Sequence, residues 1–223
     1  MQMPASPEQF AVSSVDPPVR GFLHHPAKPN HSGLVFTHGA GGNAKASLLV
    51  AVAEAFADAG LTVLRCDLPF RQKRTFGPPR PGDGEGDRQG LKNAVREMRK
   101  LVSGKVFLGG QSYGGRQATM LCAEEPGLAD GLFLTSYPLH PPGKPQQLRV
   151  QHFPHLQAPM LVVQGTRDPF GTIEEVEKAL KLIPAKTKLI PVDGAGHDLG
   201  FSGKKKLAGL PARVVQEFAA FFA

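Results

Sequence analysis

The sequence contains no tryptophan, only two tyrosines and only two cysteines in its 223 residues. Proteins that bind single-stranded nucleic acids stack the bases on aromatic side chains placed among basic ones. The net charge of +7 would attract a polyanion, but the basic residues are scattered, and the two short clusters at 71–74 and 204–206 contain no aromatic residue. We therefore expect a solvated basic surface and no nucleic-acid site.

Long apolar runs are also missing from the chain. No stretch approaches the roughly 18 consecutive apolar residues that a membrane-spanning helix requires, and residues 1–8 lack the basic head and apolar stretch of a signal peptide. The sequence thus predicts no membrane span and a cytoplasmic location. Its length fits one domain over residues 1–223, and it leaves the oligomeric state open.

Metal-ligand patterns are absent as well. Cys66 and Cys122 lie in a predicted strand and a predicted helix, and their spacing matches no zinc motif. Two buried thiols in a reducing compartment is the favoured interpretation, although the sequence does not exclude a disulfide. The histidines show no ligand spacing on a common element. We expect neither a metal ion nor an organic cofactor.

Short apolar runs bounded by glycine or proline are typical of fully buried strands. Six such runs occur, and a seventh segment at 19–23 is predicted to be an edge strand. The runs lie at 34–37, 62–66, 105–109, 131–135, 160–164 and 188–192. Segments with helical periodicity separate them, at 47–59, 91–102, 113–123, 174–182 and 211–222.

This alternation predicts an α/β fold, with a mostly parallel twisted sheet covered by helices on both faces. Ligands of such sheets bind beyond the carboxyl ends of the strands. Two irregular segments, 71–87 and 137–159, each follow a strand and are expected to overhang that edge, with little lid between them.

The strongest motif is the pentapeptide Gly110-Gln111-Ser112-Tyr113-Gly114, which follows a predicted strand and precedes a predicted helix. A strand, a tight turn and a helix form the context in which this G-x-S-x-G pattern holds a nucleophilic serine. The turn strains the backbone and exposes the serine hydroxyl at the helix N-terminus. We therefore predict that Ser112 is a nucleophile.

A serine hydroxyl needs a general base, which is itself oriented by an acid. Asp168 follows the predicted strand at 160–164, and His197 lies in a glycine-rich loop after the last predicted strand. Both positions fall at the carboxyl edge of the sheet, in the chain order Ser, Asp, His. We assign His197 as the base and Asp168 as the acid, with Asp67 as a weaker alternative for the acid.

Acyl transfer also requires donors for the developing oxyanion, usually two backbone N–H groups. We expect one from Tyr113 and one from Ala40, with Gly41 as the second choice, and we expect His38 to brace this loop. The stretch from Gly39 to Ala46 faintly resembles a phosphate-binding loop. However, it lacks both the second glycine and the hydroxyl residue that such a loop needs.

These motifs resemble the α/β-hydrolase superfamily over nearly the whole chain. The motifs are His38-Gly39-Ala40-Gly41, Gly110-Gln111-Ser112-Tyr113-Gly114, Gly165-Thr166-Arg167-Asp168 and Gly196-His197. Two stretches, 65–70 and 137–144, look more narrowly like a hydrolase-like group that includes testis-expressed-30 proteins and a histone-acetyltransferase-complex subunit. The chain is also similar to compact dienelactone-hydrolase-like enzymes, although those carry a cysteine where this chain has Ser112.

The resemblance implies a hydrolase, and the residues predict cleavage of a small or medium acyl ester through an acyl-enzyme. An amidase or peptidase with the same triad, or a non-catalytic interaction module on this scaffold, are the alternatives. Four arginines in exposed predicted loops either favour anionic substrates or belong to a solvated surface. They are Arg71, Arg74, Arg80 and Arg88. His140 is expected either to line the pocket or to lie on a loop surface.

Overall fold

A single eight-stranded sheet runs through the computed structural model, which describes residues 6–201 and 209–223. Its strands are β1 Glu8–Val12, β2 Val19–His24, β3 Gly33–Thr37, β4 Thr62–Cys66, β5 Val106–Gln111, β6 Gly131–Thr135, β7 Met160–Gly165 and β8 Thr187–Val192. Their order is β1-β2-β4-β3-β5-β6-β7-β8. Strands β3 to β8 are parallel, which confirms the predicted mostly parallel sheet. The basic cluster at 204–206 lies outside the described residues.

Helices cover both faces of this sheet, as predicted. They are α1 Ser47–Asp58, α2 Pro69–Lys73, α3 Asp83–Leu101, α4 Tyr113–Glu124, α5 Ile173–Leu180 and α6 Leu210–Phe222. Successive residues of a strand point to opposite faces. Val35 accordingly packs in the core cluster beneath α3, α4 and α5, whereas Leu34 and Phe36 pack in the cluster beneath α1 and α6.

Two predicted elements need correction. The segment at 19–23 is not an edge strand, because β2 pairs with β4 on one side and with β1 on the other. Strand β1 escaped prediction because most of its residues are exposed or half-buried, so it carries no continuous apolar run. Helix α3 begins at Asp83 rather than at residue 91, with Asp83 and Glu85 in its first turn, where the helix dipole favours carboxylates.

Both cysteines are buried and free, which confirms the interpretation of two separate thiols. Burial, reinforced by nearby carboxylates, raises the pKa of the Cys66 and Cys122 thiols to about 12. Only the thiolate form of cysteine is an effective nucleophile. Neither thiol is therefore equipped for nucleophilic chemistry at neutral pH.

His24 is a buried histidine that must remain neutral in the folded chain. Its Nε2 accepts a hydrogen bond from the Arg65 Nε–H, at 2.8 Å. Burial, followed by the positive charge of Arg65 and the neighbouring His25, lowers the pKa of His24 from 6.5 to about 4. The unfolded chain binds a proton at this site from about pH 6.5 downward, and the folded chain does not until about pH 4.

The free energy of unfolding should therefore fall as the pH decreases from about 6.5 to 4. A His24→Gln variant retains a hydrogen-bond acceptor for Arg65 but cannot be protonated, so its stability should decline less over this range. Urea unfolding at pH 7.5 and pH 5 measures the difference. The matched control is His155→Gln, at an exposed histidine, which should retain the wild-type pH dependence. An equal decline in wild type and His24→Gln would contradict this assignment.

Candidate active site

Ser112 lies in the turn that joins β5 to α4. Its backbone angles are φ 50° and ψ −116°, in the left-handed half of conformational space that a residue with a side chain rarely occupies. Such strain persists only where the surrounding structure enforces it, and it is concentrated at functional sites. Here the strain turns the hydroxyl out of the strand at the N-terminal end of a 12-residue helix.

The flanking glycines of the motif allow this turn because the chain packs against itself there. A Cβ atom at Gly114 would lie 2.5 Å from the carbonyl oxygen of His38. A Cβ atom at Gly110 would lie 2.7 Å from the carbonyl carbon of Gly114. Any larger residue at either position would therefore push α4 away from the ends of β3 and β5.

The three side chains predicted as nucleophile, base and acid form one hydrogen-bonded chain. His197 Nε2 lies 2.8 Å from Ser112 Oγ, and His197 Nδ1 lies 2.8 Å from Asp168 Oδ2. A carboxylate can only accept a hydrogen bond, so the proton between Asp168 and His197 is on Nδ1. The unprotonated Nε2 is then left to accept the hydrogen bond of the Ser112 hydroxyl.

Asp168 is held rigidly beneath His197. Its side chain is fully buried and accepts two further hydrogen bonds, from the Phe170 N–H at 2.9 Å and from Gln164 Nε2 at 3.0 Å. Asp67, the alternative acid, instead accepts a hydrogen bond from the Ala44 N–H at 2.7 Å. The carboxylate that the structure brings to His197 is therefore that of Asp168.

The loops that carry Asp168 and His197 pack backbone against backbone. The N–H of Arg167 donates to the carbonyl oxygen of Ala195, at 2.9 Å. A Cβ atom at Gly165 would lie 2.3 Å from that same oxygen, so only glycine allows this contact. The ring of Phe170 lies over the His197 imidazole, with centroids 4.2 Å apart. Acid and base are thus positioned by direct contact between their loops.

The peptide unit between Gly39 and Ala40 has a fixed orientation. Its carbonyl oxygen accepts hydrogen bonds from His38 Nδ1 at 2.8 Å and from the Gly42 N–H at 3.1 Å. The N–H of Ala40 points away from that carbonyl, because the two groups of a trans peptide are opposed. His38 is itself fixed, since its Nε2 accepts from the Leu68 N–H at 3.1 Å. It braces this loop as predicted.

Arg71 fixes the next part of the same loop. Its guanidinium donates to the carbonyl oxygens of Ala40 at 2.9 Å and Gly42 at 2.8 Å, and the residue is only 6% exposed. This role was not predicted from the sequence. The available signal was that residues 39–42 carry no polar side chain, so their carbonyl groups need a donor from elsewhere in the chain.

Residues around Ser112 line a cavity of about 520 Å³ at the carboxyl edge of the sheet. Its wall includes both residues predicted to supply oxyanion donors, Ala40 and Tyr113, together with Ser112 and His197. This volume lies within the range of typical small-molecule sites.

A model of the alpha/beta hydrolase domain family matches residues 30–222. The chain belongs to that family.

Solved structures share the hydrolase fold over nearly their whole length. An alpha-beta serine hydrolase homologue from Coxiella burnetii is 20% identical, with a TM-score of 0.74 over 94% of this chain and 96% of that one. A dienelactone hydrolase from Anabaena variabilis is 24% identical, with a TM-score of 0.71 over 98% of each chain. Est1E from Butyrivibrio proteoclasticus is 15% identical, with a TM-score of 0.73 over 98% and 99%. At sequence identities this low, the matches show a shared fold and nothing more.

In this alpha/beta hydrolase, the four arginines considered for anionic substrates lie away from the cavity beside Ser112. Arg71 is used by the loop carbonyls, Arg74 pairs with Asp83, and Arg88 pairs with Glu124. None of the four lines the cavity next to Ser112. The anionic-substrate alternative is therefore not supported for these four arginines. Arg74 and Arg80 lie in the loop between α2 and α3, as expected, whereas Arg71 and Arg88 lie within those two helices.

Two other arginines, Arg116 and Arg149, line the hydrolase cavity instead. Sequence reasoning missed both. Arg116 lies four residues after Ser112 on α4, so helical spacing offered a signal, because such residues share one face. Arg149 lies in an irregular segment whose path the sequence does not specify.

His140 is neither a pocket residue nor a surface residue. It is 5% exposed, and its Nε2 lies 3.2 Å from Glu175 Oε2, beside the start of α5. Within residues 6–201 and 209–223, no group of three or more potential ligands could hold a metal ion. Across the same residues, no helix is long and apolar enough to cross a membrane.

Proposed function

We propose that this alpha/beta hydrolase cleaves carboxylic esters of small or medium acyl length through an acyl-enzyme on Ser112. The observation that carries the proposal is the hydrogen-bonded chain from Ser112 Oγ through His197 to Asp168, with both hydrogen bonds at 2.8 Å. An alcohol at neutral pH becomes a competent nucleophile when an adjacent base removes its proton during attack.

In the first half of the reaction, Ser112 Oγ attacks the ester carbonyl carbon while His197 Nε2 takes the hydroxyl proton. Asp168 stabilises the imidazolium that forms. The tetrahedral intermediate then collapses, the bond to the leaving alkoxide breaks, and His197 returns the proton to that oxygen. An alcohol leaves, and the acyl group remains on Ser112.

In the second half, a water molecule takes the place of the alcohol. His197 removes one proton from the water as its oxygen attacks the acyl carbon, and then returns that proton to Ser112 Oγ as the acyl–oxygen bond breaks. The products are a carboxylic acid and the free serine. His197 accepts and donates every proton that is transferred, so the proposed cycle requires no cofactor.

The backbone N–H groups of Ala40 and Tyr113 are the proposed donors to the oxyanion. Tyr113 begins α4 directly after the nucleophile, and the hydrogen bonds of His38 and Arg71 hold the loop around Ala40 from both sides. Because these donors are oriented before the substrate arrives, no reorganisation is needed when charge develops.

The cavity supports a substrate of modest size. It occupies about 520 Å³, and the regular structure in the fully described segment 136–159 is one three-residue 3₁₀ helix, Phe153–His155. That segment is too short in regular structure to form a lid domain over Ser112. An open cavity of this kind suits small or medium acyl groups.

A fluorophosphonate probe tests the proposal because it phosphonylates only activated serines. We expect stoichiometric labelling of the native chain, mass-spectrometric mapping of the adduct to Ser112, and no labelling after unfolding in urea. Labelling that survives unfolding, or that maps to another serine, would contradict the proposal.

Turnover of matched p-nitrophenyl esters and p-nitroanilides separates the alternatives. Faster ester turnover supports an esterase, and comparable anilide turnover would indicate an amidase or peptidase. No reaction with esters, thioesters or amides, together with no probe labelling, would indicate an interaction module. The closer resemblance to the testis-expressed-30 group stays a prediction.

A further inference from the structure

We propose that Arg116 and Arg149 form a subsite for an anionic group on the ester, so that the substrate carries a carboxylate or phosphate besides the scissile bond. This inference rests on the proposed function and specifies its substrate class. The two arginines line the same cavity as Ser112 and His197.

The cavity wall is strongly asymmetric in charge. Its charged side chains at neutral pH are these two guanidinium groups, and no aspartate or glutamate is among its lining residues. Arginine remains protonated under all ordinary conditions. An ester with an anionic group would therefore enter a cavity that carries two uncompensated positive charges within the described part of the chain.

The Arg116 guanidinium is not used to hold the fold together. Within the described residues, its side chain forms no hydrogen bond or ion pair, and its Nε is buried without a partner. An unpaired buried donor is costly, in contrast to Arg71, whose guanidinium is occupied by backbone carbonyls. The terminal N–H groups of Arg116 are therefore not taken up by any described residue and remain for a ligand.

Arg116 is close to the nucleophile and rigidly attached to it. Its N–H donates to the Ser112 carbonyl oxygen at 2.9 Å, and four residues of helix correspond to a rise of about 6 Å. An anionic group bound there would lie a few carbon atoms from an ester carbonyl positioned at Ser112 Oγ.

The backbone of Arg149 is fixed beside the cavity by hydrogen bonds of both its N–H and its carbonyl group. Its N–H donates to the Leu139 carbonyl oxygen, and its own carbonyl oxygen accepts from the Tyr137 hydroxyl, both at 2.8 Å. One guanidinium nitrogen donates to Pro138 at 3.2 Å, which leaves the remaining N–H groups for a ligand.

The two guanidinium groups influence each other electrostatically. Burial, followed by the positive charge of Arg116, lowers the pKa of Arg149. The same two causes lower the pKa of His152, behind this wall, to about 4, so His152 adds no charge at neutral pH. The repulsion between two like charges that lack a counter-ion decreases when a carboxylate or phosphate binds between them.

The test compares p-nitrophenyl hydrogen glutarate with p-nitrophenyl valerate, a neutral ester of the same chain length. We expect wild type to prefer the glutarate ester in kcat/KM. Arg116→Met and Arg149→Met should each lower that preference by about 10- to 100-fold, through KM for the anionic ester. The matched control is Arg96→Met, which removes an exposed positive charge on α3, outside the cavity. An equal loss in Arg96→Met would assign the preference to the general surface field and overturn the proposal.

Binding to unreactive anions tests the subsite without hydrolysis. Isothermal titration of wild type with glutarate and with inorganic phosphate should detect binding that Arg116→Met and Arg149→Met each weaken. The stronger ligand identifies the anionic group. Binding without any ester turnover would support the subsite and contradict the proposed function. Turnover of the valerate ester with no anion binding and no glutarate preference would overturn the subsite and leave the esterase proposal standing.

Discussion

Turnover of p-nitrophenyl acetate should fall by about 10⁶-fold in kcat when Ser112 is replaced by alanine. The change removes the attacking oxygen and leaves the oxyanion donors in place, so residual catalysis above the uncatalysed rate is expected from those donors alone. The fold should be unaffected, because the alanine side chain needs no hydrogen bond and the strained turn is enforced by its neighbours. Initial rates at saturating ester measure the loss.

The control for this variant is Ser103→Ala, at an exposed serine after α3, which should retain wild-type turnover. Far-ultraviolet circular dichroism of both variants checks that the fold is intact. A rate in Ser112→Ala above one hundredth of wild type, unchanged on further purification, would mean that another group performs the attack.

Asp168→Asn should lower kcat by about 10⁴-fold while leaving the backbone geometry nearly unchanged. The Asn oxygen can continue to accept the Phe170 N–H, which lies 2.9 Å from Asp168 Oδ1. The amide nitrogen then occupies the Oδ2 position, 2.8 Å from His197 Nδ1, and donates a proton where the carboxylate accepted one. Gln164 Nε2, 3.0 Å from the same position, loses its acceptor there. His197 is forced into the opposite tautomer, so its Nε2 carries a hydrogen and cannot take the proton of Ser112.

The control for this second variant is Asp193→Asn, at an exposed position in the loop that precedes His197. It alters charge by the same amount near the site and should change kcat little. Steady-state kinetics with p-nitrophenyl acetate compare the two. Turnover by Asp168→Asn within tenfold of wild type would remove Asp168 from the proposed mechanism.

The sequence was sufficient to predict the parallel part of the sheet and the meeting of three distant side chains. Strands buried on both faces must be continuously apolar, which made β3 to β8 recognisable. The rule that loops at the carboxyl ends of parallel strands share one edge then placed Ser112, Asp168 and His197 together. Neither inference required knowledge of side-chain packing.

The arginines could not be assigned in the same way. A guanidinium group at the end of a long flexible side chain reaches several Å in any direction, so its partners depend on tertiary contacts rather than on local pattern. Arg71 and Arg149 both fall in predicted irregular segments, yet one is bonded to backbone carbonyls and the other lines the cavity. Strand β1 was missed for a related reason, since its pairing with β2 leaves most of it exposed.

The burial of both native thiols gives this chain a practical advantage. Cys66 lies beneath the sheet helices, and Cys122 lies within α4 against the same core. Maleimide reagents therefore meet no accessible native sulfur. A single cysteine engineered into an exposed turn would accept a fluorophore or spin label selectively, and movements of segment 136–159 during turnover could be followed without first deleting any native residue.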